Sequence, residues 1–271
     1  MKTKKAFTLV EMLVSLTIMS MMSLLFVQII SSVESTWAKG RQLANNMGKG
    51  RLALDIISRD LQTGVFRPDL GAFAMQNGTP SPQSLNFCFF TSRSADSDRA
   101  LSLVNYRLSS NAVLLRESMP VSWNNGSPLK ITFGTNSIPQ MATIATDGSA
   151  TDLATGVLAF RMYFVNTRAD GLGRTISLNY VNTSTLQTKA VGVAIVVVDE
   201  QTRKALESQS KLSALLAAGW EPPADLNRGL AKHWQAVLDN FLLSNPGLPS
   251  GIRSGVRVFE CVVPVSVAAA D

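Results

Sequence analysis

From Phe7 to Ile30 the chain carries one charge, Glu11. At ~1.5 Å per residue a helix over this run covers about 35 Å, enough to cross a hydrocarbon core of about 30 Å. A short basic leader precedes it, with Lys2, Lys4 and Lys5, and positive charge of this kind stays on the cytoplasmic side. A lone carboxylate in such a helix costs at least ~2.5 kcal/mol and by default has a functional partner. Its own segment offers no base. A cut between Ala6 and Phe7 exposes an α-amino group at Phe7, and that amine on one copy neutralises Glu11 on a neighbour. The acid is then an assembly device. An ordinary secretory signal has an apolar core of about 7–15 residues followed by its cleavage site. This run is longer and holds Glu11. A plain uncleaved anchor explains the basic flank but not the acid.

Beyond Ile30 the pattern becomes amphipathic without a break. Val33, Trp37, Ala44, Met47, Leu54, Ile57 and Leu61 recur near a helical period. No proline occurs before Pro68, so one helix is expected from Thr8 to Thr63, ended by Gly64 and Pro68. Arg51 and Asp55 stand four apart and are expected to pair on its wet face. Gly48-Lys49-Gly50-Arg51 lacks the long glycine-spaced turn and terminal hydroxyl of a phosphate loop. A proline- and glycine-rich loop follows, Phe66 to Gln83.

Strand-like sequence then dominates. Leu85–Phe90, a hairpin of Leu101–Leu108 with Ala112–Glu117, Leu129–Phe133, Gly156–Val165, Thr175–Val181, Ala190–Val198 and Val256–Val267 are expected strands. Thr135 to Thr155 reads mostly as loop, and its Asp147–Asp152 stretch lacks the ligand pattern of a calcium loop. Ile195–Val198 is apolar on both faces, which suits a central strand covered twice. Two helices are expected before the last strand, Thr202–Ala218 and Leu226–Leu243, the second with Asp225 as N-cap.

The first stretch resembles the class III signal of type IV prepilins and type II secretion pseudopilins. The matches are the lysines of the leader, Phe7 after the cut, Glu11 at mature position five, and the flanks Thr8-Leu9-Val10 and Met12-Leu13. Ala6 departs from the glycine usual in the family, but it is small. The resemblance implies cleavage between Ala6 and Phe7 by a prepilin peptidase, N-methylation of Phe7, and assembly through Glu11. It divides the chain into a leader (1–6), a transmembrane half-helix (7–33), a periplasmic half-helix (34–63) and a β-rich head (64–271) with a helical insertion (202–243). The fold class is α+β: a long N-terminal helix packed on an antiparallel β-sheet head. The order of elements is similar to J-type minor pseudopilins and related prepilin-like proteins of bacterial gene cassettes. The carriers are Leu54–Leu61, Tyr106-Arg107-Leu108, Leu114-Leu115-Arg116 and Val256–Phe259. The helical insertion departs from the compact family pattern.

The remaining inventory points away from chemistry. His233 is the one histidine, and no CxxC, HExxH or nucleophile-elbow pattern occurs. The formal charge is +6, and loss of the three leader lysines leaves +3. The other cations are scattered, with no nucleic-acid stripe. Cys88 and Cys261 would meet an oxidising compartment, which permits a disulfide. Two cysteines so distant in sequence are equally read as small buried residues. The expected protein is a non-enzymatic, cofactor-free and metal-free minor pilin-like subunit of an envelope filament. It crosses the inner membrane once with a periplasmic head. Its partners are other pilin or pseudopilin subunits, the peptidase and the membrane, with no nucleic acid. The alternatives are a minor pilin for adhesion or DNA uptake and a membrane-anchored periplasmic ligand-binding module.

Overall fold

The computed structural model describes residues 8–66, 74–75, 86–92, 102–109, 111–120, 150–168, 173–177, 186–220, 229–249 and 251–265. The chain divides into two compact units, Met1–Asn45 and Asn46–Asp271, and the boundary falls inside the first helix. That helix, α1, runs over Leu9–Gln62. Its length follows from the absence of proline and from a sequence that keeps helical character throughout.

In the first unit the apolar side chains of α1 point outward. Leu13, Leu16, Met22, Leu24, Phe26 and Ile29 are all exposed. In the second unit the same helix turns an apolar stripe inward, and Ala53, Leu54, Ile57 and Leu61 are buried. Gly50 belongs to this packing. A Cβ there would lie 2.6 Å from the Phe259 ring, so the helix backbone and the aromatic meet directly only because the residue is glycine. On the wet face Asp55 pairs with Arg59 at 2.6 Å, in place of the expected partner Arg51. An acid four residues N-terminal to its base is the better orientation on a helix.

The second unit is built on two antiparallel sheets. The first has five strands in sequential order: β1 (Ala74–Met75), β2 (Asn86–Thr91), β3 (Ser102–Leu108), β4 (Val113–Pro120) and β5 (Ala150–Thr155). The second comprises β6 (Val157–Arg168), β7 (Arg174–Ser177), β8 (Leu186–Val198) and β9 (Val256–Pro264), in the order β7-β6-β8-β9. β5 corrects the loop expected up to Thr155. It is a mostly exposed edge strand of the first sheet, so it does not need an alternating apolar sequence. The expected strand Leu129–Phe133 lies outside the described residues.

Two cores share the second sheet. Val191, Val193, Ile195 and Val197 of β8 face one of them, with Phe87, Phe89, Val104, Tyr106 and Leu114 of the first sheet and the buried stripe of α1. Ala194, Val196 and Val198 face the other, with Leu206, Leu215, Trp220, Leu230, Trp234 and Leu238. The strand that is apolar on both faces is covered twice, by α1 and the first sheet on one side and by the helical insertion on the other.

The insertion differs from its expected form. The segment read as one helix is two, α2 (Glu200–Ser208) and α3 (Leu212–Leu216), parted at Ser210, whose φ is 54°. Asp199 caps α2 by accepting from the Thr202 amide at 2.6 Å. The next helix, α4 (Leu230–Ser244), starts after Gly229 at φ 81°, and the expected cap Asp225 lies outside the described residues. Its first amides are satisfied from across the fold. Glu260 of β9 accepts from Leu230 N at 2.7 Å, Ala231 N at 3.3 Å and the Tyr163 hydroxyl at 2.7 Å. A carboxylate here also complements the helix dipole. A short helix, α5 (Ile252–Gly255), leads into β9.

Candidate functional site

The candidate site is the start of α1. Thr8 directly precedes α1 and accepts from the Glu11 amide through its hydroxyl at 3.3 Å. Glu11 reaches back and accepts from the Thr8 amide at 3.0 Å and from the Thr8 hydroxyl at 3.0 Å. This is a reciprocal capping box, in which the side-chain oxygen of each residue accepts from the backbone N–H of the other. The Thr8 carbonyl accepts the first helical bond, from Met12 N at 3.2 Å. The sequence carried the signal as Thr-x-x-Glu before an apolar run. Glu11 therefore has a local partner that is not a base, the amide and hydroxyl of Thr8.

The segment that follows suits a medium without water. Among the described residues, Leu9–Ala38 is the one helical stretch long and apolar enough to cross a membrane, with a mean hydropathy of 2.2. Its hydroxyls are turned onto the helix's own carbonyls. Ser15 donates to Met12 O at 2.9 Å, Thr17 to Val14 O at 2.8 Å, Ser20 to Thr17 O at 2.9 Å and Ser23 to Met19 O at 2.9 Å. In lipid such internal bonds spare each hydroxyl the cost of an unmade hydrogen bond. The residues expected to flank the cut, Ala6 and Phe7, and the leader lysines Lys2, Lys4 and Lys5 lie outside the described residues.

The residues that carried the subgroup resemblance meet elsewhere, in a clasp between α1 and the first sheet. Asp60 is fully buried on α1. One of its oxygens, Oδ2, accepts from the Tyr106 hydroxyl at 2.5 Å and from Arg116 Nε at 2.6 Å. Burial pushes the Tyr106 phenol well above its ordinary pKa, and the Asp60 charge adds to this. Burial also opposes the charge of Arg116, but the hydrogen bond and charge of Asp60 hold its guanidinium above the usual value. Beside them Glu117, also buried, accepts from Arg107 Nε at 2.6 Å and Asn105 Nδ2 at 2.8 Å. The pattern reading took these residues as hydrophobic-strand traits and missed both ion pairs.

Cys88 on β2 is buried and Cys261 on β9 is half-buried, and both are free thiols in different sheets. The disulfide that the sequence permitted is not formed. Burial, reinforced by the Glu117 charge, raises the Cys88 thiol far above its ordinary pKa. His233 lies half-buried on α4, one residue from the fully buried Trp234.

A family model for the prokaryotic N-terminal methylation motif matches residues 1–27. The match spans the capping box and most of the apolar segment. Among solved structures, a type IV-like pilin from Thermus thermophilus is similar at 14% sequence identity, with a TM-score of 0.37. That likeness covers 81% of this chain and 95% of the other. No curated protein sequence matches the chain. The architecture is α+β, a long apolar N-terminal helix with an antiparallel β-sheet head.

Proposed function

We propose that the chain is a minor pilin-like, non-enzymatic subunit of a bacterial type II secretion or type IV pilus-like envelope filament. The observation that carries this reading is the methylation motif over residues 1–27, set on a helix built for lipid. A prepilin peptidase cuts between Ala6 and Phe7 and the new amine is methylated. Lys2, Lys4 and Lys5 hold the leader in the cytoplasm until then, which leaves the head in the periplasm. In the filament the apolar helices pack side by side, held by van der Waals contact. Glu11 then exchanges its bonds to Thr8 for the Phe7 amine of a neighbour, and this charge pair sets the axial register.

The deciding measurement is the N-terminal residue of the membrane-extracted mature protein, read by mass spectrometry. N-methylated Phe7 is expected. A chain that keeps Met1, or that begins well beyond Phe7, overturns the reading. The Glu11→Val variant should stay folded and membrane-held yet fail to enter filaments, and normal incorporation would sink the role given to Glu11.

A further inference from the structure

We infer that Trp37, Lys39 and Arg41 form a belt that binds anionic phospholipid headgroups and sets the depth of the apolar helix, placing Glu11 in the opposite headgroup layer rather than in hydrocarbon. The inference rests on the membrane reading above and adds a register and a lipid chemistry to it.

The register comes from the charges. Between Glu11 and Glu34 the helix is uncharged, from Met12 to Val33. That window is about 33 Å long, close to the hydrocarbon thickness of about 30 Å. A helix seated on this window has an acid at each boundary and none inside. Glu11 then has water and headgroups within reach, and its bonds to Thr8 supply further partners. The cost of an acid in hydrocarbon disappears.

The far end carries the anchors. Trp37 is 74% exposed. An indole in this position is the side chain most at home at a bilayer interface. Lys39 and Arg41 follow directly after the apolar segment ends at Ala38. From Glu11 to Trp37 is about 39 Å and from Glu11 to Arg41 about 45 Å along the helix. Those lengths match a whole bilayer with its headgroups, about 40–45 Å. The two cations outnumber the single acid Glu34.

The test uses the full chain in phosphatidylcholine vesicles that contain trace spin-labelled phosphatidylglycerol or phosphatidylcholine. The readout is the fraction of label immobilised at the protein. Wild type should hold the anionic label about fivefold or more over the neutral one, since each cation near the surface attracts anionic lipid. The Lys39→Gln/Arg41→Gln variant should bring the ratio close to one. Lys49→Gln/Arg51→Gln, further along α1, should keep it. A wild type without preference overturns the belt, and so does a double variant that retains the preference. A wild type that does not enter vesicles at all overturns the membrane reading itself.

Discussion

The two halves of α1 are one helix with two kinds of surface. In residues 9–38 large apolar side chains face outward on every side and the hydroxyls close onto their own backbone. In residues 50–62 Ala53, Leu54, Ile57 and Leu61 form an inward stripe and the outer face carries an ion pair. Each half also holds one acid that violates its local pattern. Glu11 is answered three residues away, by Thr8. Asp60 is answered 46 and 56 residues away, by Tyr106 and Arg116. An acid with only a neighbour for a partner can change partners without unfolding anything. An acid with distant, buried partners is part of the tertiary structure. The first can serve the exchange proposed for it above, and the second holds the helix on the head.

The largest test of this contrast removes Asp60. Asp60→Ala leaves the Arg116 charge and the Tyr106 hydroxyl without their acceptor, and truncating one member of a buried pair costs about 3–5 kcal/mol. Urea denaturation of the full chain in micelles should show a loss in that range, while Glu11→Gln should leave the transition of the head unmoved. Equal effects from the two variants would erase the distinction between them.

Next is alkaline pH. Burial, followed by the neighbouring carboxylate, raises both Tyr106 beside Asp60 and Tyr163 beside Glu260. A phenol raised in the folded state binds its proton more tightly there than in the unfolded chain. Its contribution is complete below the ordinary tyrosine value of about 10 and is lost as pH rises above it. Stability should therefore fall steeply beyond about pH 10, and less steeply in Tyr106→Phe. Ionisation followed at 295 nm should show Tyr106 and Tyr163 resisting until the head unfolds. Ordinary titration of both in the folded protein would remove the clasp as described.

Two glycines near the start of the head half of α1 give a smaller pair of effects of opposite sign. A Cβ at Gly48 meets nothing within 4 Å, whereas one at Gly50 meets the Phe259 ring at 2.6 Å. Gly48→Ala should stabilise by up to about 1 kcal/mol through helix propensity. Gly50→Ala should lose about 1–3 kcal/mol to overpacking, partly offset by the same propensity. Thermal melts of the two variants that move together would show that Phe259 yields at no cost.

These cases also show what the sequence could convey. The helix was legible because no proline interrupts it and its period is continuous. The double cover of β8 was legible from Ile195–Val198, since a strand apolar on both faces has no wet side. The capping box was equally readable at Thr8 and Glu11, but the search for an ionic partner passed over a hydroxyl. The clasp was not readable, because nothing local links Asp60 to strands some fifty residues on. The break at Ser210 was also silent, since a left-handed serine carries no signal comparable to glycine. β5 was hidden because an exposed edge strand can be written in Ala, Thr and Asp.

The smallest effect concerns the wet face of the head half. Asp55 and Arg59 meet at 2.6 Å but are more than half exposed. Water and salt screen such a pair, and exposed helix pairs contribute about 0.3–0.5 kcal/mol. Asp55→Ala should therefore move the urea midpoint barely, and 0.5 M salt should abolish the difference from wild type. Asp60, five residues further along the same helix, should keep nearly its full effect in that salt, because screening acts weakly on buried charge. If salt instead erased both effects alike, the Asp60 clasp would be solvent-accessible, and the head half of α1 would be held by its apolar stripe alone.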